Sequence, residues 1–251
     1  HIALDFLAKA PNDGYTLMIV GGGNLVIQPF LQKNLPFDPL NDFLPIFNVA
    51  ETPHILVIPQ ALPANSVAEF VAFAKANTGK VNYGSAGIGS PPHLSGYRFA
   101  QVTGLTMTHI PYKGVGGTLP DLVAGRIQLV SMSLGSASTN LKAGTLKALA
   151  TAAKKRLAGL PSVPTASEAG VPDWDMSAWF GMFTPRDTSA DIVRYLNGKF
   201  QIWLDDPKTR ARFVEIGAEP LGGSQASFQE RVRSDYKFWG QVIKESGIRL
   251  E

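Results

Sequence analysis

The 251 residues predict an α/β fold, on three observations. Short β-rich runs alternate with amphipathic helical stretches along the chain, the pattern of a sheet covered by helices. Glycine clusters follow several strand candidates and lead into helix starts. Hydrophobic residues make up 45% and charged residues 17% of the sequence, a balance that suits a packed chain and excludes a disordered one. The length allows one large domain or two medium ones.

Residues 1–8 read as the inside of a helix with no cap before it, so the chain is expected to begin within an element. After the turn at 11–14, YTLMIV at 15–20 is a buried strand stopped by Gly21, Gly22, Gly23 and Asn24. A loop-rich LPFDP at 35–39 precedes a second strand, ILVIP at 55–59. Ser66 and Glu69 form a capping box, and Val67, Phe70, Val71 and Ala74 make one apolar stripe behind it. Beyond Gly79 a strand at 81–83 runs into the loop 84–89, with Ser90 suited to cap the next helix and Pro91 to its first position. MTHI at 107–110 is a strand, followed by PYKGVGG at 111–117 and a helix through 120–123 that ends at Gly125. IQLVS at 127–131 is a strand that enters the small, polar stretch 133–140, and 146–151 is another. The last third holds a strand at 178–183 and then helices. Thr188 and Asp191 read as a capping box before the core stripe Ile192, Val193, Leu196, Phe200 and Trp203. Asp206-Pro207 starts a short helix. Ser227 and Glu230 start the last one, with Phe228, Val232, Trp239 and Ile243 on its core face and Gly247 closing it.

Several function classes drop out. Lys plus Arg exceeds Asp plus Glu by 23 to 20, and the one basic cluster, Lys154-Lys155-Arg156, has no interleaved aromatics, so it reads as a solvated turn and no nucleic-acid partner is expected. No apolar run approaches the roughly 18 residues of a membrane span, which predicts a soluble chain without direct membrane insertion. The absence of Cys removes disulfides, thiolate zinc sites and thiol nucleophiles. His1, His54, His93 and His109 lie at no metal-ligand interval. Neither a metal nor a cofactor is expected.

Three strand-to-loop junctions cluster Gly with Ser, Thr or Asn: 21–24, 84–90 and 112–117. In open α/β sheets ligands sit beyond the carboxyl ends of strands, where glycine lets backbone amides approach an anion closely. Gly22, Gly23, Asn24, Ser85, Ala86, Gly87, Gly89, Ser90, His93, Tyr112, Lys113 and Ser133 are the candidate ligand-binding residues. Each loop also reads as a plain tight turn. The dinucleotide fingerprint fails because Pro92 stands where its third glycine belongs, the phosphate-binding Lys loop has the wrong order at Lys113-Gly114, and the serine-hydrolase elbow fails at Ser85 and Ser90. No catalytic residue is set up. His109 reads as a core residue within an apolar strand, and Asp121 as a first-turn helix charge.

The runs AKAPNDGYTL at 8–17, LPFDP at 35–39, NYGSAGIGS at 82–90 with His93-Leu94, HIPYKG at 109–114, LPSVPT at 160–165 and SAWFG at 177–181 resemble the Bug receptors. These are the extracytoplasmic solute-binding proteins of tripartite tricarboxylate transporters. The resemblance covers essentially the whole chain, in order. It implies a periplasmic, monomeric, two-lobed binding protein of the Venus flytrap kind, which closes on a small carboxylate and presents it to the transporter's membrane subunits. Two hinge crossings are expected, with lobe one at 1–60 and 178–251 and lobe two at 61–177, so that the Gly21 loop would face the Gly84 and Tyr112 loops across a cleft. The resemblance further implies a first strand and glycine loop ahead of this sequence, and a lobe with an exposed edge without them. Where many relatives carry an aromatic followed by Asp, this chain has Val130-Ser131-Met132-Ser133, which favours a plain organic acid over an amino acid. An enzyme acting on a small acid through His93 or Lys113, and a sensory receptor feeding a signalling partner, are the alternative readings.

Overall fold

The computed structural model describes residues 2–32 and 34–248. The opening His1 lies outside the described residues. In chain order the elements are α1 (Ile2–Lys9), β1 (Met18–Gly21), α2 (Gly23–Val26), α3 (Gln28–Leu31), β2 (Phe43–Pro59), α4 (Val67–Ala76), β3 (Asn82–Ser85), α5 (Pro91–Thr103) and β4 (Thr108–Pro111). A 3-10 turn at Val115–Thr118 leads to α6 (Leu119–Val123), β5 (Leu129–Ser133), α7 (Leu134–Lys142), β6 (Leu146–Thr151) and β7 (Ser177–Pro185). The chain finishes with α8 (Ala190–Asp205), α9 (Pro207–Glu215), β8 (Glu219–Pro220) and α10 (Gln225–Ser246). It divides into two compact units, residues 1–51 with 178–251, and residues 52–177. The first boundary thus falls at 51/52 rather than 60/61, because β2 is one strand of 17 residues whose two halves serve different sheets.

In unit 1, β1 pairs antiparallel with β7 (Val20↔Gly181), β7 also bonds to β2, and the first half of β2 pairs with β8 at Ala50 and Glu51. Ile46, Phe47, Val49 and Ala50 pack with Leu204 and Ala218 into one core, and Phe47 stacks on Phe200. Phe228 of α10 meets Trp179 and Phe183 of β7 at ring distances of 5.4 and 5.3 Å. A buried Glu51 is met by Arg231 at 2.6 Å, and Trp179 Nε1 donates to Asp235 at 2.7 Å. This pairing compensates a carboxylate that would otherwise be costly to bury.

In unit 2, the strand order is β6, β2, β5, β3, β4. The second half of β2 runs antiparallel to β5 and β6, and β3 runs parallel to both β5 and β4. Ile55, Val57, Val130, Met132, Leu122 and Leu146 fill the core on one face. On the other, His54 Nδ1, Ser131 Oγ and Ser95 Oγ form a buried chain with steps of 2.9 and 2.5 Å, which Trp174 Nε1 closes by donating to Ser95. Every polar link in that chain has a partner, so its burial is tolerated.

Local expectations shift where side-chain chemistry competes. Ser66 accepts the Glu69 amide as predicted, but Glu69 reaches back to the Asn65 amide. The cap of α8 is Ser189 rather than Thr188, whose hydroxyl is turned to Thr184 and the Pro185 carbonyl. The last helix starts at Ser224, three residues before Ser227, because Ser224 Oγ takes the Ser227 amide. Trp203, expected in the core, is 45% exposed. The polar stretch 133–140 is helical in α7, capped by Ser133.

Candidate functional site

Because β3, β4 and β5 are parallel, the loops after Ser85 and Pro111 and the start of α7 after Ser133 leave the same edge of the unit 2 sheet. Backbone bonds join the first two loops: Tyr112 N–H donates to Ser85 O at 3.1 Å and Gly114 N–H to Ala86 O at 3.4 Å. Gly87 and Gly89 hold φ of 121° and 72°, which a side chain would strain. These angles fold residues 85–90 into a loop stapled from within. Ser85 Oγ accepts the Gly87 amide and donates to Gly87 O, while Ser90 Oγ donates to the same carbonyl at 2.7 Å. Ser90 precedes α5 as expected, yet its hydroxyl spends itself on the loop rather than on a helix amide.

His93, on the first turn of α5, is buried and accepts the Gly89 amide through Nδ1 at 3.0 Å. His109 is not the core residue its apolar neighbours suggested. β4 is the edge strand, so His109 is half-buried, with Nε2 2.6 Å from Ser85 Oγ and its ring stacked 3.6 Å from that of His93, nearly parallel at 9°. Sequence reasoning missed it for want of a signal of its edge position. Burial, and secondarily His109, push the His93 imidazole down to about 4, and burial lowers His109 as well. Both rings are therefore neutral at pH 7.

The loop's amides divide into used and unused. Those of Gly87, Gly89 and Ser90 are spent inside the loop. Among the described residues, the N–H groups of Ala86, Ile88 and Lys113 have no hydrogen-bond partner. Tyr112 does not offer its hydroxyl freely, since it donates to Asp121 at 2.6 Å, and burial with that bond raises it to about 12. Lys113 is exposed. Ser133 caps α7 through the Ser136 amide. Met132 is 1% exposed within the core, so its side chain does not face this edge and carries no information about a ligand's ammonium group.

In unit 1, Gly22 is a packing glycine. Its amide donates to Trp179 O at 2.8 Å, and a Cβ there would lie 2.3 Å from the Trp179 ring. Asn24 bonds back to Gly21 O at 3.3 Å, and Gly23 opens the four-residue α2. Among the described residues no group of His, Asp or Glu could hold a metal ion, and no helix is long and apolar enough to cross a membrane.

A profile described as "Tripartite tricarboxylate transporter family receptor" matches residues 1–248. The protein BugT of Bordetella pertussis is 29% identical over 251 residues, covering 100% of this chain and 77% of BugT. A UPF0065 protein of Agrobacterium vitis is 32% identical over 96% of this chain and 70% of its own length. Among solved structures, an R. palustris protein with adipate aligns at TM-score 0.84 and 36% identity, over 99% of this chain and 84% of that one. MatC from Rhodopseudomonas palustris with bound malate aligns at TM-score 0.76 and 29% identity, over 96% and 83%. The periplasmic binding protein BugD aligns at 0.78 and 29%, over 99% and 84%.

Proposed function

The chain belongs to the tripartite tricarboxylate transporter receptor family, and from that premise we propose that it captures a small organic mono- or dicarboxylate in the periplasm and delivers it to the membrane subunits of such a transporter. Family members and structural neighbours are periplasmic solute-binding proteins and not enzymes. The observation that carries the ligand class is the pair of unspent amides at Ala86 and Ile88, in a loop whose other donors are already satisfied. Two fixed N–H groups beside a helix start suit a carboxylate, which brings acceptors only. Lys113 supplies long-range attraction from the neighbouring loop. Ser85, Gly87, Gly89, Ser90 and His93 shape the loop. The adipate and malate bound by relatives fit this class. The working form is a monomer.

Thermal denaturation in the presence of a carboxylate panel tests the reading. A ligand at 100 times its Kd should stabilise by about 2.7 kcal/mol. Indifference to every organic acid would refute it.

A further inference from the structure

We propose that His93 is the positioning residue that holds the Ser85–Ser90 loop in its ligand-ready shape, and that it does so only as a neutral imidazole, so that acid releases the loop and weakens capture. The inference rests on the carboxylate reading of that loop. Its basis is the direction of one hydrogen bond. The Gly89 amide is a fixed donor, so the ring nitrogen 3.0 Å away must be a bare acceptor. The His93 proton therefore sits on Nε2. A second proton can enter only at Nδ1, where it would oppose the Gly89 N–H and break the contact.

The surroundings reinforce the neutral state. The titratable groups around His93 are His109 from β4 and Tyr83 from β3, with ring centroids 3.6 and 6.1 Å away. β5, on the far side of β3, contributes no titratable side chain over Leu129–Ser133. On α5 itself, Tyr97 acts on Tyr83, and Arg98 is turned to Asp173 O and Gln101. Lys113, in the loop after β4, is exposed. No carboxylate acts on either histidine to support an imidazolium, and charging both stacked rings would place like charges in contact. Burial sets the midpoint for His93 at about 4. His109 holds the other end of the loop through Ser85 Oγ, so the pair grips residues 85 and 89 together.

The test compares wild type with His93→Gln, whose amide oxygen can accept the Gly89 N–H but does not titrate. Calorimetric Kd values for adipate and malate are measured from pH 7.5 to 3.5, and imidazole 15N spectra of wild type supply the His93 midpoint. Ligand protonation is common to both proteins, so the ratio of their Kd values, normalised at pH 7.5, isolates His93. The ratio is expected to stay flat to about pH 5, to double at the midpoint and to rise roughly four-fold by pH 3.5. A ratio that stays flat through the midpoint overturns the proposal, as does a spectrum with the proton on Nδ1 at pH 7.5. If neither these two nor any other acid of the carboxylate panel binds at pH 7.5, the carboxylate reading fails on its own terms. The latch is then judged, also should the variant not fold, by the ligand-free wild-type Gly89 amide. That signal must move with the His93 midpoint, and an unmoved signal overturns the latch.

Discussion

Replacing Gly96 by Ala puts one methyl group between α5 and β3, and the structure sets the sign of its effect. The new Cβ would lie 2.2, 2.5 and 3.1 Å from Cδ2, Cε2 and Cγ of Tyr83. Carbon atoms rest about 3.5–4.0 Å apart, so the ring must retreat by roughly 1 Å or more. Tyr83 has little room, being 5% exposed with His109 behind it at 5.1 Å. Overpacking of this kind costs about 1–3 kcal/mol, offset by about 1 kcal/mol for replacing Gly with Ala inside a helix. Gly96→Ala is thus expected to destabilise by up to about 2 kcal/mol. Gly198→Ala makes the same change within α8, where a Cβ would meet nothing within 4 Å, and should stabilise by roughly 0.5–1 kcal/mol. Urea unfolding followed by far-UV circular dichroism reads both. Equal stabilisation by the two variants would refute the close approach of Tyr83 to α5 and, with it, the platform beneath the histidine pair.

Three other outcomes follow from particular contacts. Arg231→Met strands the buried Glu51 carboxylate and should cost about 3 kcal/mol in chemical denaturation; full stability with Glu51 retained would show the ion pair to be dispensable. His54 is buried and its imidazole is pushed down to about 4 by desolvation, so the stability it confers is whole above about pH 6.5 and is lost as pH falls toward 4, by roughly 1.4 kcal/mol per unit. His54→Gln should flatten that acid limb, and an unchanged pH profile would contradict its burial as a neutral ring. Lys113→Ala should weaken carboxylate binding less than about ten-fold at low salt, with the difference fading near 1 M salt; a salt-independent loss in calorimetry would mean direct contact instead of attraction at a distance.

The alternation of strands and helices was readable because caps and apolar stripes are local signals. Ser66 with Glu69 and Asp206 with Pro207 announce helices that form where expected. The first half of β2 was not readable. Pro45, Asn48, Glu51 and Pro53 interrupt its hydrophobic pattern, and Glu51 is acceptable there only because Arg231, 180 positions away, meets it. The helix α7 was hidden by its small, polar composition, which resembles a loop until Ser133 caps it. At the site, the glycine loops were visible as clusters, but the division of labour within them was not. Whether an amide is spent or free depends on partners such as His93 Nδ1 and Ser85 Oγ, set by the turn's geometry. His109 was misplaced for the same reason: whether a strand lies at an edge is decided by pairing order, which composition does not encode.

The most direct measurement is an amide-resolved 1H–15N titration of the protein with adipate and with malate at pH 7.5. The account predicts saturable shifts at Ala86 and Ile88, larger than those of the already bonded Gly87 and Gly89 amides. Saturation of the protein with either acid while Ala86 and Ile88 stay unmoved would contradict it.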